Sequence, residues 1–277
     1  MGQPKAQKSM AVKQKESMER MAASGEILDY LGVLRGTFVP PTGRNLPSLF
    51  SDWRGRRTIL YYQLVSWYHV LQSRFIAFWL VKPRLKLEKA QTPAIAQALY
   101  KDMYTALAGG EVELGKIERH LHPGLKSSLR ARIAQRAPNT FMQWKLHRYM
   151  APRECVYFKF GLLDMSGPRT ERTGMIQAVV RIKSQQSLLT FQRRRIKDPA
   201  NPRGPPVMTE VPVDRDGKVI VDFDQEVEER QSLKTVEEYF VIERTLFKGV
   251  LGPWRAWGTT HETTLAEIRK MEKAKAR

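Results

Sequence analysis

The sequence predicts an α+β fold: N-terminal helices packed on a curved antiparallel β-sheet, preceded by an extended basic N-terminal tail. Three observations carry this expectation. Apolar residues recur at helical spacing as far as Ala137 and at a spacing of two from Thr140 onward. Helices first and strands afterwards is the order of an α+β chain rather than of alternating βαβ units. With 42% hydrophobic residues, a 277-residue chain can also bury a sizeable core. A curved sheet with helices against its concave face buries both layers.

Met1 to Gly25 is polar and basic and reads as a tail, either disordered or an arm that orders on a partner. Met1 to Met21 has no apolar core, unlike a secretory signal, and its Glu16 and Glu19 fit a mitochondrial presequence poorly. Ile27, Leu28, Tyr30, Leu31 and Leu34 form a short apolar patch. Thr37 to Pro47 reads as an extended linker, because Pro40, Pro41 and Pro47 forbid a continuous helix. Residues 1–53 are therefore expected to be tail and linker.

Ser51 or Asp52 then offers an N-cap for a long helix that Pro83 ends. On a helical wheel Leu60, Leu64, Trp67, Leu71, Phe75 and Phe78 share one side, with Tyr61, Tyr68 and Trp79 on its flank. Ser66, His69 and Ser73 lie opposite, interrupted by Val65, Val70, Ile76 and Leu80. Basic residues bracket the run: Arg54, Arg56 and Arg57 before it, Lys82, Arg84 and Lys86 after it. Ile59 to Val81 is long enough to span a bilayer. A lone span, however, would expose Gln63, Ser66, His69, Gln72, Ser73 and Arg74 to lipid. The stripe has two better placements. One is the membrane interface, where Tyr and Trp favour the headgroup level; the other is the domain's own core or a partner.

A second helix follows over Thr92 to Ala108, capped by Thr92, with Pro93 in its first turn and Gly109-Gly110 as its stop. Glu111 to Leu121 is a short third helix, broken by His122-Pro123-Gly124. Leu125 to Ala137 is a fourth, carrying Lys126, Arg130, Arg132 and Arg136 and no acid. Strands are expected at Thr140 to Tyr149, Cys155 to Leu163, Gly174 to Lys183 and Ser187 to Gln192, the last two separate or one long bent strand. Ser166-Gly167-Pro168 is the turn after the second strand. Lys197 to Val207 is a Pro-rich loop, Asp214 to Gly217 a turn, and Lys218 to Phe223 and Val236 to Phe247 further strands. The domain thus covers 54–260, and a charged helix occupies 261–277.

A net charge of +19 points to a polyanionic partner, nucleic acid or anionic lipid. The single cysteine, Cys155, excludes an internal disulfide and a multi-cysteine zinc site, and it reads as a small buried hydrophobe. His120 and His122 flank a helix break and diverge, so no metal site is expected. Phosphate-binding, metalloprotease and nucleophile-elbow motifs are missing from the sequence, and neither catalysis nor a cofactor is expected. Two basic features suit phosphate oxygens instead: the loop with Arg193, Arg194, Arg195, Lys197 and Arg203, and the fourth helix with Lys126, Arg130, Arg132 and Arg136. Both would read RNA by shape and phosphate rather than by base.

The run Thr235 to Thr260, TVEEYFVIERTLFKGVLGPWRAWGTT, carries a family resemblance. It is similar to the end of the domain of the mitochondrial import-motor anchor (Tim subunit forty-four), of the mitochondrial ribosomal protein L-forty-five family, and of its fungal relative, the membrane-bound mitoribosome receptor. In those proteins an aromatic, charged strand precedes a Trp-containing segment, matched here by Trp254 and Trp257. The resemblance implies a cone-like, NTF2-like α+β fold in a non-enzymatic protein of the mitochondrial matrix, peripheral on the inner membrane. Short length before Thr92, the absence of sustained heptads and the high positive charge favour the ribosome-associated branch. The implied partners are large-subunit rRNA and ribosomal proteins, anionic inner-membrane lipid and the membrane insertase, with the tail able to approach the exit tunnel. The import-motor anchor is the alternative, and a small-molecule-binding or enzymatic domain of the same fold is a more distant one.

Overall fold

One strand, β3 (Thr173–Ile196), is 24 residues long, and the sheet is assembled around it. The computed structural model describes residues 34, 37–48, 50, 52–164, 168–196, 207–214, 217–220 and 223–275. On one side β3 pairs first with β2 (Glu154–Asp164) and then with β1 (Thr140–Tyr149). On the other it pairs with β5 (Lys234–Phe247) and, at its far end, with β4 (Val207–Val213). β6 (Val250–Thr260) extends β5. The result is a curved, unclosed antiparallel sheet with six strands among the described residues. The two strands expected at Gly174 to Lys183 and Ser187 to Gln192 are the two halves of β3, each with its own partners.

The helices are α1 (Trp53–Phe75), which widens into a π turn at Ile76–Leu80, α2 (Thr92–Gly109), α3 (Glu111–Ile117), α4 (Pro123–Ala134), α5 (Gln225–Gln231) and α6 (Leu265–Lys275). Asp52 caps α1 as expected, its carboxylate accepting from the Gly55 N–H at 3.0 Å. Thr92 does not cap α2; its hydroxyl donates to the Glu88 carbonyl at 3.1 Å. His122 caps α4 through Nδ1, which accepts from the Gly124 N–H. Three elements escaped the sequence pattern: β4, β6 and α5. Conversely, Lys218 to Phe223 forms no strand among its described residues beyond a single bridge from Val219 to Val213.

Alternation along β5 divides the core between two faces. Phe240 and Ile242 join Phe160, Ile176 and Val180 under Tyr100 and Met103 of α2, Leu114 of α3 and Leu129 of α4. Tyr239 and Val241 face the other way with Tyr157 and Val179, and Val39 covers them. The expected linker is therefore a packed strap. Phe38 and Val39 are buried, the Val39 N–H donates to Thr263 Oγ1 at 3.0 Å, and Thr42 and Tyr239 both donate to Glu262. The tail before residue 34 and the apolar patch at 27–33 lie outside the described residues. Trp254 belongs to the helix-covered core and Trp257 packs on the opposite face, so both family-motif tryptophans are structural.

The β5–β6 turn is tight. Lys248 and Gly249 have φ of 44° and 79°, a two-residue turn of the type that suits the twist of a hairpin. A Cβ on Gly249 would fall 2.1 Å from the Thr170 carbonyl oxygen. Gly249→Ala is thus expected to destabilise the protein by roughly 2 kcal/mol, from the unfavourable φ plus the forced displacement of the neighbouring turn. Thermal unfolding would read this as a drop of several degrees; Lys248→Gly should cost far less.

Candidate membrane interface and basic surfaces

Helix α1 sits on the sheet in the sense opposite to its hydrophobicity. Ile59, Ser66, Ser73 and Ala77 are buried, and Val70 and Ile76 pack partly against the core. These residues recur at about two turns, and most are small, which lets the helix backbone come close to β2. Ser73 makes the tie: its Oγ accepts from the buried Phe160 N–H of β2 at 2.9 Å and donates to the His69 carbonyl at 2.7 Å. Among the described strands β2 pairs only with β3, so its other edge would otherwise present unpaired backbone groups. The polar side of the wheel is inside because the sheet edge there requires a hydrogen-bonding partner.

The stripe consequently faces outward. Leu60, Tyr61, Leu64, Trp67, Tyr68, Leu71, Phe75, Phe78 and Trp79 are all between 41% and 68% exposed. Of the two better placements the sequence left open for the stripe, burial against the domain's own sheet is therefore not the one adopted. Trp53, outside the predicted set, extends the face at its N-terminal end and is 58% exposed. Its residue type and its place one position before Arg54 could have marked it. The rings lean on one another, Phe75 on Trp79 at 6.3 Å and Phe78 edge-on to Trp79 at 5.3 Å. Of the flanking cations, Arg54, Arg57, Lys82, Arg84 and Lys86 are exposed and Arg56 is half-buried. Arg84 stacks over the Phe78 ring at 4.1 Å, so charge and aromatic surface form one patch. Among the described residues no helix is long and apolar enough to cross a membrane.

The two predicted basic features are largely engaged within the protein. Arg193, Arg194 and Arg195 stand on β3, not in a loop. Arg193 pairs with Glu210 at 3.0 Å and stacks on Phe141, while Arg194 donates to the Gly217 carbonyl at 2.7 Å. Arg195 is exposed and has no ion-pair partner among the described residues. Lys197 and Arg203 lie outside the described residues. On α4, Lys126 pairs with Glu118 and Arg130 with Glu111 at 2.7 Å; Arg136 lies past the end of α4, which stops at Ala134, short of the expected Ala137, and donates to the Leu107 and Ala108 carbonyls that end α2. The helix carries no acid, but α3 supplies Glu111 and the 3-10 turn after it supplies Glu118. Arg132 remains exposed, with no ion-pair partner among the described residues. Arg132 and Arg195 thus reach the surface with no partner acid among the described residues, while the other described candidates are drawn into ion pairs, a ring stack or hydrogen bonds to backbone carbonyls.

A cavity of about 650 Å³ opens between α2, α5 and the β1, β3, β4 and β5 strands, walled mainly by Tyr104, Leu107, Trp144, Leu189 and Val213. Two polar groups on its wall are engaged within the protein: Arg136 donates to the carbonyls that end α2, and Gln186 accepts from the Trp144 indole N–H at 2.7 Å. Beneath it Tyr100 and Tyr104 donate to Glu238 at 2.5 and 2.8 Å, and burial first, then that carboxylate, pushes both phenols above their ordinary range. Burial likewise pushes the Cys155 thiol up to about 11.

Residues 17–202 match the family model described as MBA1-like protein. No curated protein matches the chain.

Proposed function

Because the chain belongs to the MBA1-like protein family, a family of mitochondrial ribosome-associated membrane factors, we propose that it tethers the large mitochondrial ribosomal subunit to the inner membrane. The protein lies on the matrix leaflet through the outer face of α1. It grips rRNA phosphate near the exit tunnel through Arg132 and Arg195, and so delivers nascent membrane proteins to the insertase. It acts by positioning, without catalysis.

The observation that carries this reading is the outward aromatic face of α1 with basic clusters at both ends. Soluble monomers rarely leave more than roughly a few hundred Å² of contiguous apolar surface uncovered. Tyr and Trp suit the headgroup level, and each nearby Lys or Arg adds about 1 kcal/mol of attraction to an anionic leaflet. A protein partner could cover the same aromatic face, but the cations at both ends and the membrane association of the family favour lipid.

On the RNA side, charges already paired with carboxylates contribute little, since contact with phosphate would first break the pair. Arg132→Gln with Arg195→Gln is expected to weaken cosedimentation with large subunits, and to reduce the slope of log affinity against log salt by roughly 1.5. Arg130→Gln should leave that slope unchanged. A double variant with the parental slope would remove Arg132 and Arg195 from the interface.

A further inference from the structure

The C-terminal end of α1 does not stand alone. After Val81 the chain runs against two sheet turns: the Lys82 N–H donates to the Arg169 carbonyl at 2.9 Å. The Gly249 N–H donates to the Arg172 carbonyl at 3.0 Å, and the Lys248 N–H to Thr173 Oγ1 at 3.3 Å. A Cβ on Gly249 would come within 3.9 Å of the Lys82 carbonyl oxygen and 2.1 Å of that of Thr170. Backbone hydrogen bonds therefore lock the exit of α1, the β2–β3 turn and the β5–β6 turn into one corner. That corner bears Phe78, Trp79, Lys82, Arg84, Arg169, Lys248 and Val250, all exposed, with Val250 70% exposed at the tip of its hairpin. Glu171 is the exposed acid in the same turn as Arg169.

Val250 is exposed beside the turn, and Lys248 holds its ammonium 5.2 Å from the centre of the Phe247 ring, so the cation stands over apolar surface at the tip. A cation next to an apolar tip, continuous with the aromatic end of α1, has the composition of a surface that inserts shallowly between phosphate headgroups. We propose that the β5–β6 turn is a second membrane contact, with Val250 entering the headgroup region of an anionic phospholipid bilayer and Lys248, Lys82, Arg84 and Arg169 around it on lipid phosphate. This rests on the reading of α1 as the membrane face and adds an orientation to it. A helix alone can roll about its axis on a bilayer; a helix with a rigid hairpin tip beside its end cannot. The tip thereby fixes which side of the domain turns toward the ribosome.

The test uses the full chain with Val250→Cys carrying an environment-sensitive fluorophore. Cys155, which is half-buried, is replaced by Ala in the labelled protein so that position 250 carries its single thiol. Vesicles of phosphatidylcholine alone and with about one-fifth cardiolipin are compared by flotation and by emission of the label, with inorganic phosphate as the soluble control. The expected result is a blue shift, quenched by lipid-borne quenchers, on cardiolipin vesicles only. Lys248→Glu with Val250→Asp should weaken flotation about tenfold. If the protein floats but the label at 250 is unmoved and the double variant floats like the parent, the tip assignment is overturned while α1 keeps its role. If inorganic phosphate, or large subunits without vesicles, move the label equally, the tip reads phosphate of another source and the membrane assignment is overturned. If the parent protein itself fails to float, the reading of α1 fails first, and the tip with it.

Discussion

Replacing Leu64, Trp67 and Phe75 together by Gln is expected to weaken binding to anionic vesicles by about a hundredfold or more while leaving the thermal midpoint nearly unchanged. The three side chains are 68%, 63% and 59% exposed and belong to none of the core clusters. Full burial of such a side chain is worth about 1.5–3 kcal/mol, and interfacial insertion realises part of that. Half the value for each of three residues amounts to roughly 3 kcal/mol, which is about two orders of magnitude in affinity. Replacement of core residues would show the reverse pattern, loss of stability first. Vesicle flotation beside a thermal melt separates the two. A triple variant that melts early would show that the stripe is covered by the protein itself.

The second large effect comes from the other side of the same helix. Ser73→Leu makes α1 more apolar, yet it is expected to destabilise the domain by roughly 3 kcal/mol or more. Ser73 is 1% exposed, and its hydroxyl is the partner of the buried Phe160 N–H. Leucine leaves that donor unsatisfied, at about 1–3 kcal/mol, and overpacks a seam fitted to a small residue, at about 1–3 kcal/mol. At this chain length the midpoint should fall by about 6–12 °C. Ser73→Thr keeps the acceptor and should recover part of the loss. Urea unfolding of the three proteins checks the ranking, and equal stability of the leucine variant would contradict the packing described.

The inversion of α1 marks where the sequence was and was not legible. The wheel separated Leu64, Trp67 and Phe75 from Ser66 and Ser73 correctly, but periodicity cannot say which side faces the protein. That depends on the open edge of β2, eighty residues later, and on its demand for an acceptor at Phe160. Strands buried on both faces, such as β3 and β5, were readable from their apolar and alternating runs. The missed strands are edge strands with proline: Pro212 in β4 and Pro253 in β6. Proline cannot donate to a ladder and is tolerated where no partner needs that donor; in a linear reading it looks like a break. Charge was legible as a total and not as a distribution. Lys126 and Arg130 read as a free basic face because Glu111 and Glu118, which neutralise them, belong to the preceding helical segment. Arg136 read as a phosphate ligand while it closes the end of α2. The Thr37 to Pro47 segment is non-helical as far as Thr42, as expected, and makes a 3-10 turn at Gly43–Asn45; only the fold shows that Val39 covers the second face of the sheet and that Phe38 packs with Ile59 and Ile268 between α1 and α6.

The central claim is that one protein engages bilayer and ribosome at once through different surfaces. Flotation of purified large mitoribosomal subunits with cardiolipin-containing vesicles, with and without this protein, tests it most directly. The account predicts that subunits rise with the vesicles when the protein is present and stay below when it is omitted or when Leu64, Trp67 and Phe75 are replaced. Subunits that bind the protein yet remain at the bottom beside floating vesicles would contradict it.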